Sequence, residues 1–82
     1  MTQTFTFADL KDILVSRVGL PPSQIVEDSS ASFEDMGLDS LAIVEMQLTI
    51  QQQYGFIIPD EDALTITTQG QAIEYVNRRL HE

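Results

Sequence analysis

The sequence has no cysteine and a single histidine, His81, next to its last residue. Without thiols there is no disulfide framework, no cysteine–zinc site and no cysteine nucleophile. One terminal histidine leaves no catalytic triad and no histidine-rich metal centre. Basic residues are scarce as well. Lys11, Arg17, Arg78 and Arg79 stand against 13 acids, and the net charge is −9. No lysine or arginine lies between Arg17 and Arg78, a stretch holding Glu27, Asp28, Glu34, Asp35, Asp39, Glu45, Asp60, Glu61, Asp62 and Glu74. A surface of one sign repels nucleic acid and anionic membrane and steers basic partners toward it. Solubility alone would account for some of these acids, but a merely solvated face usually mixes both signs.

Long apolar runs are also missing, so nothing in the sequence spans a bilayer. Met1-Thr2-Gln3-Thr4 shows no basic segment leading into an apolar one, and a cytoplasmic location is expected. At 82 residues, the chain is expected to form one compact domain over 1–82. A self-repelling acidic domain gains little by pairing, which predicts a monomer. Hydrophobic residues make up 43% of the chain, enough to argue against disorder.

The spacing predicts helix, long loop, helix, short element, helix. Thr6 can cap a first helix, with Asp9 in its first turn. Phe7, Leu10, Ile13, Leu14 and Val18 follow at helical intervals. Gly19 and Pro21-Pro22 stop that helix. Residues 19–39 read as a loop, long enough to need pins, for which Ile25, Val26 and Phe33 are the candidates. Asp39 can cap a second helix running from Leu41 to Tyr54. Its apolar residues cover more than one face, as in a helix that is central or keeps a face free for a partner. Three acids, Asp60, Glu61 and Asp62, open a short element. Thr68 can cap a last helix carrying Ala72, Ile73, Val76 and Leu80, in which Gly70 costs propensity. No segment alternates with period two. The fold class is therefore all-α, a small bundle of three longer helices and one short one.

Ser40 follows Asp39 at the head of the second helix. By itself a serine there is only a small polar residue in a first turn. A phosphodiester on it would meet unpaired N–H groups and the positive helix end. Gly37, three residues earlier, lets the loop turn tightly beside that point. The wider pattern is more specific. Phe33-Glu34-Asp35-Met36-Gly37-Leu38-Asp39-Ser40-Leu41 is followed by Val44-Glu45, Ile58-Pro59-Asp60-Glu61-Asp62-Ala63, Ile66-Thr67-Thr68 and Ile73-Glu74-Tyr75-Val76-Asn77. In this order and spacing the chain resembles acyl carrier proteins from its first helix to near its C-terminus.

The resemblance implies a four-helix bundle of the acyl-carrier type and a chain that is no enzyme. It implies a 4'-phosphopantetheine, taken from coenzyme A, attached covalently to Ser40 and holding acyl groups as thioesters. A phosphopantetheinyl transferase would install it. A ketosynthase, an acyltransferase and tailoring enzymes with basic docking patches would be the partners. The positions matching the family's docking surface are Asp39, Leu41, Val44, Glu45 and Leu48, although Leu41, Val44 and Leu48 at i, i+3, i+7 would equally suit core packing. Leu41 is expected to stay at least partly exposed. An acyl-chain cavity would be lined by Val44, Met46, Ile50, Ile58, Ala63, Ile66 and Ile73, which could as well be close-packed core.

Ala42 and Gln51-Gln52-Gln53 stand where fatty-acid carriers often have acids. Tyr54-Gly55-Phe56 is more similar to the polyketide branch. The resemblance thus favours a stand-alone, type II polyketide carrier over a primary fatty-acid carrier. Two alternatives remain at this point: a peptidyl or aminoacyl carrier using the same serine, and an acidic helical interaction domain without a prosthetic group. A calcium module fails on spacing. Counting from Asp28 puts Phe33 at the glycine position, and counting from Asp35 puts Ser40 there and Met46 at the last ligand.

Overall fold

The structure, a computed structural model, describes residues 4–81. The reading of the N-terminus from Met1 to Gln3 lies outside those residues. The helices are α1 (Phe7–Ile13), α2 (Ser40–Tyr54), α3 (Asp60–Ala63) and α4 (Gln69–Leu80). The sequence predicts this all-α bundle, with α3 as the short member. Among the described residues the one extended pairing is an isolated antiparallel bridge, Ser32 to Thr68.

The helix starts follow from local chemistry. The Thr6 hydroxyl accepts from the Asp9 N–H while the Asp9 carboxylate accepts from the Thr6 N–H. Thr68 and Gln71 exchange the same pair of bonds at the head of α4. Each such cap is worth about 1 kcal/mol. The end of α1 holds a feature the periodicity does not show. A π-helical turn over Leu14–Val18 widens it, and the Leu14 carbonyl accepts from both Gly19 and Leu20 N–H groups. The double bond folds Leu20 back into the core.

The core joins Leu10, Ile13 and Leu14 with Met46 and Ile50 of α2 and Ala72, Tyr75 and Val76 of α4. Phe5 enters ahead of α1, edge-on to Tyr54 with centroids 5.4 Å apart. Asn77 clamps its backbone, accepting from the Phe5 N–H at 2.7 Å and donating to the Phe5 carbonyl at 2.9 Å.

The long loop is pinned differently from the expectation. Phe33 is fully buried and Ile25 packs against the core, but Val26 is 60% exposed. Leu20, Met36 and Leu38 are the further apolar pins. Val26 is held through its backbone instead. Its carbonyl accepts from the side-chain amide of Gln69 at 2.7 Å, and the Asp28 N–H donates back to the Gln69 carbonyl oxygen at 3.3 Å. Gln69 is completely buried, so its amide must be paired, and the loop supplies the partners. Next to it, the Ser30 hydroxyl and then the Ser30 N–H hold the Asp28 carboxyl below its usual value.

Both tyrosines sit where ionisation is disfavoured. Burial, then the Asp9 and Asp12 charges, raise Tyr54 above the ordinary 10.0. Burial, then the hydrogen bond to Asp62, raise Tyr75, with Arg79 opposing in part. A raised folded pKa stabilises the fold below the unfolded value near 10, and that contribution is lost as pH climbs through the folded values. The chain has two tyrosines and no tryptophan, so ultraviolet titration reads these phenols alone. We expect the native phenols to ionise above the ordinary value and together with alkaline unfolding. Titration of a still-folded chain at the ordinary value would contradict this.

Candidate functional site

Ser40 is the first residue of α2 and is exposed. The turn before it is tight. Gly37 has φ +93°, a conformation open to glycine, and Leu38 behind it is buried against the core. Asp39 caps the helix, its carboxylate accepting from the Ala42 N–H at 2.8 Å, and its carbonyl accepts from the Ile43 N–H. The Ser40 and Leu41 N–H groups have no acceptor among the described residues. A serine hydroxyl thus stands free in solvent beside two open amide donors at a positive helix end.

The α2 surface below Ser40 divides in two. Met46 and Ile50 turn into the core, at 0% and 2% exposure. Leu41, Val44 and Leu48 turn outward, at 68%, 46% and 49%. Core packing therefore does not explain that spacing. Asp39 and Glu45 flank these residues and are exposed, as are Glu34 and Asp35 ahead of α2 and Asp60 and Glu61 at the start of α3. The result is an apolar stripe with an acidic surround.

A groove of about 370 Å³ runs between α2 and α3, lined by Ser40, Ile43, Val44, Gln47, Asp60, Ala63 and Leu64. The residues named for an acyl cavity are split by it. Val44 and Ala63 line the groove, and Ile66 lines a neighbouring cavity of about 160 Å³ with Phe33 and Ile43. Met46, Ile50 and Ile58 are close-packed core and line neither space, and Ile73 packs against that core. The physical reason is helical phase. Residues 40, 43, 44 and 47, at i, i+3, i+4, i+7, centre on one side of α2, and 46 and 50 centre about a quarter turn away, with Ile43 on the border, lining the groove and packing against the core. Ile43, Gln47 and Leu64 are groove residues the sequence reading passes over, and counting that interval from Ser40 would have found the first two. Gln51 has a structural use, accepting from the Ile58 N–H at 2.6 Å to tie the α2–α3 link down.

Comparison with known proteins bears on this geometry. A family described as "Phosphopantetheine attachment site" matches residues 8–76, a span that includes Ser40. The chain belongs to the acyl carrier protein family. It is similar to the butyryl form of the carrier from the actinorhodin polyketide synthase of Streptomyces coelicolor, with 30% identity and a TM-score of 0.79. That match covers 98% of this chain and 95% of the other. The 3,5-dioxohexyl form of the same carrier, a triketide mimic, matches with 30% identity and a TM-score of 0.81, over 99% and 96% of the two chains. The function is that of an acyl carrier, and its prosthetic group is 4'-phosphopantetheine. The residues at the head of α2 fit that group: a free hydroxyl for the ester bond and two unpaired N–H groups for phosphate oxygens. Among the described residues, no helix of this carrier is long and apolar enough to cross a membrane, and no group of acids or histidine could hold a metal ion.

Proposed function

We propose that Ser40 carries the phosphopantetheine arm and that this carrier serves a dissociated, type II polyketide synthase. The observation that carries the reading is the exposed Ser40 hydroxyl at the first position of α2, above an apolar groove and between open amide donors. When bound, the group supplies a thiol on which acyl chains are held as thioesters. The chain itself does the rest. The Ser40 and Leu41 N–H groups would donate hydrogen bonds to the phosphate oxygens. Ile43, Val44, Ala63 and Leu64 offer the first few carbons of an acyl chain an apolar wall. The likeness to a polyketide carrier loaded with a triketide mimic supports the pathway, as does the glutamine run in place of acids. Residues 1–82 work as one carrier domain and as a carrier, not a catalyst.

Intact-mass spectrometry after incubation with coenzyme A and a broad-specificity phosphopantetheinyl transferase tests this. One phosphopantetheine should be added per chain. Loading by an amino-acid-adenylating enzyme in preference to acyl units would move the assignment to the peptidyl carriers.

The docking surface is Asp39, Leu41, Val44, Glu45 and Leu48, and basic patches on the transferase, ketosynthase, acyltransferase and tailoring enzymes are its complement. Glu45→Lys should slow transfer to a ketosynthase roughly three- to tenfold at low salt, with less effect at high salt. Its thermal unfolding should match wild type, because Glu45 is exposed. Equal transfer rates at low salt would remove Glu45 from the surface.

A further inference from the structure

The wall of the groove formed by α3 is held by very little. α3 has four residues and none is buried. Its N-cap, Pro59, offers no side-chain hydrogen bond. Ile58 before it and Ile66 after it are buried anchors, so the element hangs between two fixed points. Asp60, Ala63 and Leu64 face α2 across the groove. Asp62 lies on roughly the opposite side of that single turn. There its carboxylate accepts from the Tyr75 hydroxyl of α4 at 2.7 Å. The same phenol oxygen accepts from the Arg79 guanidinium at 2.9 Å, and Arg79 also donates to the Ile57 carbonyl at 3.0 Å. Arg79 stacks over Phe56, 4.9 Å from the ring centroid. One chain of polar contacts therefore ties the middle of α3, and the link that leads into it, to the rigid α4.

From this arrangement we infer that Asp62, Tyr75 and Arg79 are positioning residues that set the width of the α2–α3 groove, and with it the length of acyl chain the carrier shelters. The inference rests on Ser40 carrying the arm, since that puts the acyl chain at the groove mouth. Pulling on α3 from behind fixes Ala63 and Leu64 in front. Releasing it lets them swing outward between the Ile58 and Ile66 anchors, and the space beside Ser40 grows.

Hydrogen exchange on the unloaded chain tests the latch directly. Tyr75→Phe removes one oxygen and keeps the ring in the core. Exchange at the Ala63, Leu64, Thr65 and Ile66 amides should speed up about tenfold, the effect of one hydrogen bond to a charged group, while the α2 amides keep native rates. Asp62→Asn retains an acceptor but not its charge, and its exchange should fall between wild type and Tyr75→Phe. Asp62→Ala should match Tyr75→Phe, and the double variant should be no faster than either. Unchanged α3 exchange, or an equal rise in α2, would overturn the latch. On loaded protein carrying saturated acyl groups of increasing length, the gain in melting temperature should peak at longer chains for Tyr75→Phe than for wild type. Coincident peaks would overturn the link to chain length. Failure to load Ser40 at all would refute the carrier reading, and the exchange experiment on the unloaded chain would still decide the latch.

Discussion

Ser40→Ala should gain no mass at all when treated with coenzyme A and a phosphopantetheinyl transferase, under conditions that convert wild type completely. Many of the other hydroxyls among the described residues are already committed. Ser30 donates its hydroxyl to Asp28, Thr49 to the Glu45 carbonyl, and Thr65 to the Asp62 carbonyl. Ser32, Thr6 and Thr68 accept backbone N–H groups in turns and caps. Ser40 is exposed, uncommitted, and set at a helix end whose first two N–H groups are open. The substitution removes the nucleophile and little else. Alanine is a better helix former than serine, and the site is exposed, so stability should stay within about 0.5 kcal/mol of wild type. Mass spectrometry reads the loss, and circular dichroism with urea unfolding confirms the fold. Full modification of the alanine variant would place the arm on another residue.

Much of this carrier is legible in its sequence because local signals agree with the global packing. Thr6 with Asp9, Asp39 ahead of an apolar run, and Thr68 with Gln71 mark the helix starts through bonds that span three residues. What local pattern does not carry is contact across distance. Val26 reads as a core residue by type, yet it is exposed and held through its carbonyl by Gln69, 43 positions away. Gln69 itself reads as a polar residue in a first turn and is fully buried. The exposed apolar stripe of α2 is a related case. Leu41, Val44 and Leu48 have core spacing, and only the placement of Met46 and Ile50 decides which apolar face of α2 turns inward. Apolar kind alone gathers residues for the acyl cavity from more than one side of α2, whereas the groove is selected by helical phase from Ser40 and by the face that α3 presents.

Gly70 shows how that long-range fit can be broken by one side chain. The first three N–H groups of α4 need partners that the helix cannot give. The loop supplies two of them, Gln69 donating to the Ala31 carbonyl at 3.2 Å and Gly70 to the Ser29 carbonyl at 2.9 Å, and the Thr68 N-cap hydroxyl accepts from Gln71. The close approach of Ser29 requires a bare α-carbon. A Cβ at position 70 would lie 2.8 Å from the Ser29 carbonyl oxygen and 3.0 Å from its Cβ. Helix propensity alone would reward replacing Gly70, by about 1 kcal/mol for alanine. Valine should reverse that sign. Overpacking against backbone costs about 1–3 kcal/mol, and the lost Gly70-to-Ser29 bond adds about 0.5–1.5. A net loss of about 1–4 kcal/mol is expected for Gly70→Val, a large share of the stability of roughly 4–12 kcal/mol that a chain of this length has. Urea unfolding measures it. Ser29→Gly should recover only part of the loss, because it removes the Cβ contact and leaves the carbonyl in place. The loop that lifts away leads through Phe33, Gly37 and Leu38 to Asp39, so phosphopantetheinylation of Ser40 should slow as well, even where the fold survives. A Gly70→Val chain as stable as wild type would mean that the loop yields at Ser29 without strain, held by the Gln69 side chain and by the backbone bonds of Ala31 and Phe33.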